Sequence, residues 1–180
     1  QTSLLRQAHT DALTGLLNKV YAEHTISEWL REKDFEDLQA LMMIDMDYFK
    51  QINDTYGHAT GDQVLKIFAG FLKEQFRATD IIGRVGGDEF MILMKNVRLD
   101  YSIHLHLQKL YTNLQNIDIP ELNDQKLSCS IGCAVAPTDA ESFSQLYRLA
   151  DHALYTAKHN GRGRFVIYHD IKNQQETVLS

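Results

Sequence analysis

The chain has 180 residues, of which 44% are hydrophobic and 23% charged, so its composition suits one folded domain and excludes disorder throughout. A formal net charge of −6 argues against a general binding surface for nucleic acid or anionic membranes. No apolar run approaches the ~18 residues that a membrane span requires. We therefore expect a cytoplasmic domain without a nucleic-acid partner, although upstream regions could still carry a membrane anchor.

The predicted elements begin with a helix. Residues 1–10 carry apolar side chains at helical spacing, which is typical of the end of a linker helix from an upstream region. A turn is predicted at Asp11–Leu16, and a helix from about Asn18 to Lys33. The run Leu38–Met46 is nearly continuously apolar, which predicts a buried central strand.

The second part of the chain mixes helices and strands and contains one hairpin. The predicted elements are a helix at Gly61–Phe76, strands at Ile81–Val85 and Phe90–Met94, a helix at Tyr101–Leu114, a strand at Lys126–Val135, a helix at Ser142–His159 and a strand at Arg164–Tyr168. This order favours an α/β sandwich of ferredoxin type over a doubly wound parallel sheet. Residues 171–180 are predicted to be a polar C-terminal tail.

The two cysteines, Cys129 and Cys133, lie four residues apart in an apolar run that is rich in β-formers. This spacing places both on one face of a strand, too far apart for an easy disulfide. We interpret them as buried free thiols in a reducing compartment, which again favours the cytoplasm.

Acidic side chains lie at the end of one predicted strand and directly before another. Asp45 lies at the end of the most hydrophobic strand, where a carboxylate is costly to desolvate unless it meets a cation. In Gly86-Gly87-Asp88-Glu89, the glycines permit a tight turn with positive φ and leave open space for a ligand. The alternatives are a strand-end cap for Asp45 and an ordinary hairpin with solvated acids. If the two strands share a sheet, carboxylates converging from both could hold Mg²⁺.

Basic side chains that could neutralise a triphosphate are Lys50, Lys158 and Arg162. The last two are four residues apart at the end of a predicted helix, so they share one helical face. The alternative is that they only complement the negative end of the helix dipole.

Three further polar residues lie between the acids and these bases: Asn53, His58 and Asp62. An Asp acceptor suits the N1–H and N2–H₂ edge of guanine, and adenine lacks those donors. Taken alone, Asn53 followed by Asp54 would indicate only a turn.

Together these motifs resemble the GGDEF domain of diguanylate cyclases, and the resemblance extends from about Asp11 to Tyr168. The matching runs are DALTGLLN at residues 11–18, DMDYFKQINDTYGH at 45–58, GD at 61–62, GGDEF at 86–90 and ADHALYTAKHNGR at 150–162. The resemblance implies a palm-like domain related to nucleotide cyclases and polymerases, with a central, mostly antiparallel sheet flanked by helices. On this basis we assign residues 11–170 to the domain.

The resemblance also implies an activity. Members of the family condense two GTP into cyclic di-GMP and release two pyrophosphates, and they depend on Mg²⁺, with Mn²⁺ as an alternative. Each subunit holds one GTP, so turnover requires an antiparallel homodimer, and an upstream sensory domain is expected to control the pairing. The alternatives are a catalytically silent module that binds GTP or cyclic di-GMP, and an interaction domain whose acids are merely solvated.

Carried over residue by residue, the family's motifs assign the site. The metal ligands would be Asp45, the carbonyl of Met46, Asp88 and Glu89, with Asp88 the candidate proton acceptor and Glu89 assisting. The GTP-binding residues would be Asn53 and Asp62 at guanine, His58 near the nucleotide, and Phe49, Lys50, Lys158 and Arg162, the three cations holding phosphates.

Arg77 and Asp80 resemble the family's RxxD site for inhibition by the product. Both side chains could bind guanine and phosphate of a cyclic di-GMP dimer through charge-assisted hydrogen bonds. The alternative is a surface ion pair at a helix end.

Overall fold

The structure is a computed structural model that describes residues 2–32, 34 and 36–172. Most of the tail predicted at 171–180 lies outside the described residues. In the part of the chain that is described, no helix combines the length and apolar character of a membrane span.

Helices and strands are mixed along the described part of the chain. In order they are α1 (Thr2–His9), β1 (Leu17–Asn18), α2 (Lys19–Glu32), β2 (Leu38–Met46), α3 (Phe49–Tyr56), α4 (His58–Gln75), β3 (Ile81–Arg84), β4 (Glu89–Val97), α5 (Asp100–Leu114), a 3₁₀ turn (Pro120–Leu122), β5 (Cys129–Ala136), α6 (Phe143–His159) and β6 (Phe165–Ile167).

The strands form one six-stranded sheet in the order β1-β3-β4-β2-β5-β6. The three inner pairings, β3 with β4, β4 with β2 and β2 with β5, are antiparallel, and the two outer pairings are parallel. The inner order β3-β4-β2-β5 is that of a ferredoxin-like sandwich, so the predicted fold class is confirmed. It follows that β2 is a central strand, as its apolar run predicts.

Alternate residues of β2 enter two separate cores because successive side chains of a strand point to opposite faces. Met42 and Ile44 join the larger core under α4 and α5, while Leu41 and Met43 join the smaller one under α2 and α6. All four are at most 3% exposed. Asp45 therefore shares a face with Met43 and points towards α6.

Helix α6 lies unusually close to β5. A Cβ built on Gly132 would stand 2.1 Å from the Ala150 carbonyl oxygen and 2.1 Å from the Leu154 backbone nitrogen. Only glycine allows this approach. The close contact fixes the height of α6, and hence of its last turn, over the sheet.

The segment that follows β6 is held to α5 by ion pairs. The His169 Nε2 atom lies 3.1 Å from Asp100 Oδ2, its Nδ1 atom lies 3.6 Å from Asp139 Oδ2, and His104 Nε2 lies 2.9 Å from Asp170 Oδ2. The carboxylate of Asp139, followed by those of Asp100 and Asp170, raises the pKa of His169 to about 9, against the opposing effect of burial. The cluster therefore favours a charged imidazole.

The structure differs from the sequence prediction mainly in one short helix and in the end of one strand. Helix α3 was not predicted, because Ile52 is its only fully buried residue in the described structure and its Asn-Asp pair is typical of a turn. Strand β4 continues to Val97 instead of ending at Met94. The cysteine prediction is confirmed: both thiols are free, buried and on the same face of β5.

Candidate active site

The end of β2 carries a buried carboxylate that is paired on one side only. Asp45 is 7% exposed, and its Oδ2 atom accepts a hydrogen bond from Lys158 Nζ in the last turn of α6. Its Oδ1 atom is buried and has no hydrogen-bond partner among the described residues. Burial raises the pKa of Asp45 in spite of Lys158, and the nearby Asp88 and Asp151 add to the rise. This oxygen is therefore available to a further cation.

A second carboxylate faces the first across the sheet. Glu89, the first residue of β4, is registered directly opposite Asp45. Burial and the charges of Asp45 and Asp88 raise the pKa of Glu89. Asp88 is half-buried in the turn, and its carbonyl accepts a 3.1 Å hydrogen bond from the Met46 backbone nitrogen, which ties the hairpin to β2. Three carboxylates thus influence one another at this end of the sheet.

A cavity of about 190 Å³ opens beside this pair. Tyr147 and Asp151 of α6 line it together with Asp45, Glu89 and Lys158. The sequence did not single out Tyr147 and Asp151. Their position one turn apart on the face of α6 that carries Lys158 is the signal that could have found them.

The two glycines of the hairpin do not behave as predicted. Neither Gly86 nor Gly87 has a positive φ, because the chain turns here without entering the left-handed region. Gly87 has open space where its Cβ would be, whereas a Cβ on Gly86 would stand 3.0 Å from Glu89 Oε2. The expectation of a positive φ was wrong, and the expectation of open space holds at Gly87.

Arg84, which the sequence did not single out, stabilises the hairpin through hydrogen bonds to its backbone. Its guanidinium donates to the carbonyl of Gly86 at 3.1 Å and to that of Gly87 at 2.9 Å. It also reaches both carboxylate oxygens of Asp11 at 3.1 and 3.2 Å. Burial alone would raise the pKa of Asp11, but hydrogen bonds from Thr14 and Arg84 outweigh it and lower that pKa. An Arg at the end of a strand, two residues before paired glycines, was the available signal.

The cations assigned to phosphate lie on different elements, and of the three only Lys158 is among the residues that line the cavity beside Asp45. Lys50 is exposed in the first turn of α3, next to the half-buried Phe49, which packs against the larger core. Arg162 is exposed in the loop after α6 and has a left-handed backbone with φ of 62°. Its guanidinium carbon lies 5.7 Å from the ring centroid of Tyr48, which is itself left-handed at φ 60°.

The residues assigned to guanine lie at the junction of α3 and α4. The amide of Asn53 lies over Gly61, because a Cβ on that glycine would stand 1.8 Å from Asn53 Oδ1. His58 and Asp62 are exposed in the first turns of α4. Asn53 of α3 thus lies against Gly61, the residue directly before Asp62 on α4.

Arg77 and Asp80 belong to a separate cavity of about 490 Å³, lined also by Gly15, Leu16 and Lys73. The Asp80 side chain is 1% exposed and accepts hydrogen bonds of 2.9 Å from the backbone nitrogens of Arg77 and Lys95. The Arg77 side chain is 55% exposed and donates to the Lys95 carbonyl as well as to Asp80. Asp80 therefore shapes the loop, and Arg77 presents the accessible charge.

The carboxylate oxygens at the end of β2 suit a small hard cation whose coordination shell is completed by a bound substrate. Among the described residues, no three His, Cys, Asp or Glu side chains are arranged as a ready metal cluster. Mg²⁺, however, is commonly held by one or two carboxylates together with substrate phosphates. The unpartnered Asp45 Oδ1 and the opposed Glu89 match that requirement.

Comparison with known proteins places the chain among signalling proteins. A family model described as "Diguanylate cyclase, GGDEF domain" matches residues 8–164. The chain is 36% identical over 171 residues to the probable diguanylate cyclase DgcT of Escherichia coli K12. That match covers 92% of this chain but 37% of the relative, so the chain spans well under half of the length of this curated protein.

Solved structures are similar over nearly the whole chain. The GGDEF domain of TpbB from Pseudomonas aeruginosa PAO1 superposes with a TM-score of 0.83 at 32% identity, covering 93% of this chain and 99% of that one. The coiled coil and GGDEF domain of DgcB from Caulobacter crescentus, in complex with c-di-GMP, has a TM-score of 0.83 at 26% identity, covering 92% and 88%.

Proposed function

The chain belongs to the GGDEF domain family, and from this membership we propose that it condenses two GTP into cyclic di-GMP and two pyrophosphates. Residues 11–170 would form the cyclase domain, with residues 1–10 as the linker helix to an upstream sensory region. The observation that carries the proposal is the half-paired Asp45 at the end of β2, with Glu89 opposite and Lys158 above it. Such a buried carboxylate is costly unless the site receives further positive charge.

The metal would be Mg²⁺, with Mn²⁺ as the alternative. Asp45, the carbonyl of Met46, Asp88 and Glu89 would hold it, and the first of these offers a free oxygen. When bound, the ion would stabilise the charge that grows on the α-phosphate and the leaving pyrophosphate.

The remaining assigned side chains would bind and orient GTP. Lys158, Arg162 and Lys50 would neutralise its phosphates; Lys158 lines the cavity beside Asp45, and the other two lie on the segments that follow α6 and β2. Asp62 would accept hydrogen bonds from the guanine edge and the Asn53 amide would donate or accept there, with His58 and Phe49 beside the nucleotide. These contacts would hold the nucleotide in one orientation, which lowers the entropic cost of the reaction.

The bond-forming step would need two copies of the domain. The 3′-hydroxyl of one GTP attacks the α-phosphate of the other, so two sites must face each other in an antiparallel homodimer. Asp88 would accept the proton of the attacking hydroxyl, and its position at the tip of the turn leaves it close to the surface where the second copy would lie.

Product inhibition would use the separate cavity at Arg77. The exposed guanidinium would bind guanine or phosphate of cyclic di-GMP, while Asp80 would keep the loop in shape. We expect an Arg77→Ala variant to remain active at product concentrations that silence the parent chain. Full activity of the parent chain at saturating cyclic di-GMP would contradict this assignment.

The test of the proposed function is incubation of the concentrated chain with GTP and Mg²⁺, followed by chromatography of the nucleotides. Asp88→Ala should abolish product, whereas Glu74→Gln, which alters an exposed carboxylate on α4, should leave it unchanged. A parallel sample would carry a fused dimerisation helix, so that failure to pair is separated from failure to react. If this fusion binds GTP but forms no cyclic di-GMP, the chain is a nucleotide-binding signalling module and the proposed activity is wrong.

A further inference from the structure

Asp47 differs from Asp45 in how its carboxylate is used. It is 6% exposed and lies directly after β2. Its Oδ1 atom accepts a hydrogen bond of 2.7 Å from Ser130 Oγ, and its Oδ2 atom accepts one of 2.5 Å from Ser128 Oγ and one of 2.9 Å from the Gly163 backbone nitrogen. Both oxygens therefore already accept hydrogen bonds, unlike the buried Oδ1 atom of Asp45, and Asp47 is not among the residues that line the cavity beside Asp45.

The hydrogen bond to Gly163 determines where the loop after α6 runs. Arg162, the residue before it, donates its own backbone N–H to the Ala157 carbonyl at 3.1 Å. The two successive backbone nitrogens are thus held in different directions, one by the helix end and one by Asp47. Between them the backbone of Arg162 adopts its left-handed conformation, which costs a non-glycine residue about 1 kcal/mol or more. Such a conformation persists only where neighbouring contacts hold it.

The loop carries a charge that the proposed function uses. Its position places the guanidinium of Arg162 over the ring of Tyr48, directly after Asp47 in the chain. One buried carboxylate therefore connects the end of β2, the start of β5 and the loop that presents Arg162. Without it, the loop would keep its bond to the helix end and the 3.0 Å hydrogen bond from the Ile131 nitrogen to the Arg164 carbonyl, but it would lose the bond at Gly163, the residue directly after Arg162.

We propose that Asp47 is a positioning residue for the triphosphate: it holds Gly163 so that Arg162 faces the β- and γ-phosphates of GTP. This inference rests on the proposed function and extends it. Asp47 binds neither the nucleotide nor the metal, so its effect on substrate passes entirely through Arg162. Its removal should weaken binding of the distal phosphates and spare contacts to the base and the α-phosphate.

The test measures binding by calorimetric titration of the full chain in Mg²⁺. The probes are the α,β-methylene analogue of GTP, which cannot release pyrophosphate, and GMP, which lacks the distal phosphates. Asp47→Ala should weaken binding of the analogue about tenfold, as for loss of one charge-assisted contact, and change GMP affinity less than twofold. Asp47→Asn keeps the side-chain volume and one acceptor, so it should fold even if the alanine variant does not, with a smaller loss of the same kind.

A double variant decides whether the effect passes through Arg162. Because the guanidinium is already absent in Arg162→Ala, adding Asp47→Ala should cause no further loss of affinity for the analogue. Asp139→Ala is the matched control: that carboxylate is 2% exposed and also accepts a backbone hydrogen bond, of 2.7 Å from Val135, but at the opposite end of β5. It should alter stability without altering either affinity.

Three results would overturn the inference: unchanged binding of the analogue by both Asp47 variants, an equal loss for GMP, or additive losses in the double variant. Each leaves the proposed function intact if the parent chain binds the analogue. If the parent chain binds neither nucleotide, the proposed function and this inference are both wrong.

Discussion

Replacing Lys158 by Met tests the pairing on which the candidate site depends. The substitution keeps most of the length of the side chain and removes its charge, which leaves the Asp45 carboxylate without its partner. The Asp45 side chain is 10% exposed and that of Lys158 34% exposed, so the pair lies between a surface and a buried ion pair. Breaking a buried pair costs about 3–5 kcal/mol, and an exposed pair contributes under about 1 kcal/mol.

We therefore expect Lys158→Met to lose about 2 kcal/mol of unfolding free energy at pH 7. For a chain of this size that corresponds to a fall in Tm of roughly 4–8 °C. The pKa of Asp45, already raised by burial, should rise further, because the lysine no longer opposes the effect. The extra cost arises only when the carboxyl is ionised, so the difference from the parent chain should grow as the pH rises through the raised pKa that Asp45 has in the folded parent chain, and it should vanish at pH values well below that pKa.

The same substitution should strengthen binding of a divalent cation in the absence of nucleotide. The ammonium group competes for the carboxylate, so its removal should raise Mn²⁺ affinity about tenfold and let Mn²⁺ recover most of the lost Tm. The assays are thermal unfolding and electron paramagnetic resonance of free Mn²⁺, with Lys66→Met on the exposed face of α4 as control. A Lys158→Met variant with the Tm and the Mn²⁺ affinity of the parent chain would refute the reasoning.

Three other predictions follow from contacts in the fold. Gly61→Ala should displace the Asn53 amide and weaken GTP binding about tenfold, as measured by calorimetric titration. The unfolding free energy should change by less than about 1 kcal/mol. An unchanged affinity for GTP would contradict the proposed role of Asn53. Gly132→Ala should lower the unfolding free energy by about 3 kcal/mol in denaturant titration, because its Cβ meets the α6 backbone, whereas Gly70→Ala, with open space, should not destabilise the fold. Asp139 raises the pKa of His169 to about 9, so the charged imidazole should add up to ~3 kcal/mol to the unfolding free energy. This stabilisation should be complete below pH 6.5 and should disappear as the pH rises through 9. A His169→Gln variant whose unfolding free energy falls equally over that range would refute this.

The sequence predicted the central elements because their patterns were strong. The bounds of β2 were predicted at Leu38–Met46 and found there, since a nearly unbroken apolar run between polar flanks leaves little choice. The end of α6 at His159 was also correct. Helix α3 was missed because it has one fully buried residue and a left-handed Tyr48 before it, and neither feature has a periodic signal.

For the candidate site, motif residues were easier to find than the residues that hold them. Asp45 and Lys158 are more than a hundred residues apart in the sequence, and no local sequence pattern indicates that they pair. Arg84 and Asp47 were passed over because their importance lies in hydrogen bonds to backbone groups of distant segments. Such bonds become visible only when the chain has brought the segments together.

The burial of both thiols has a practical consequence for spectroscopy. Cys129 and Cys133 lie in the larger core, and burial raises the pKa of Cys129 to about 12 and that of Cys133 further. Because the thiolate is the reactive form, neither should be alkylated by maleimides while the domain is folded. A single cysteine introduced on an exposed helix face could then carry a fluorophore or spin label selectively, with both native cysteines left in place. Distances between two labelled copies would report directly on whether and how the domains pair.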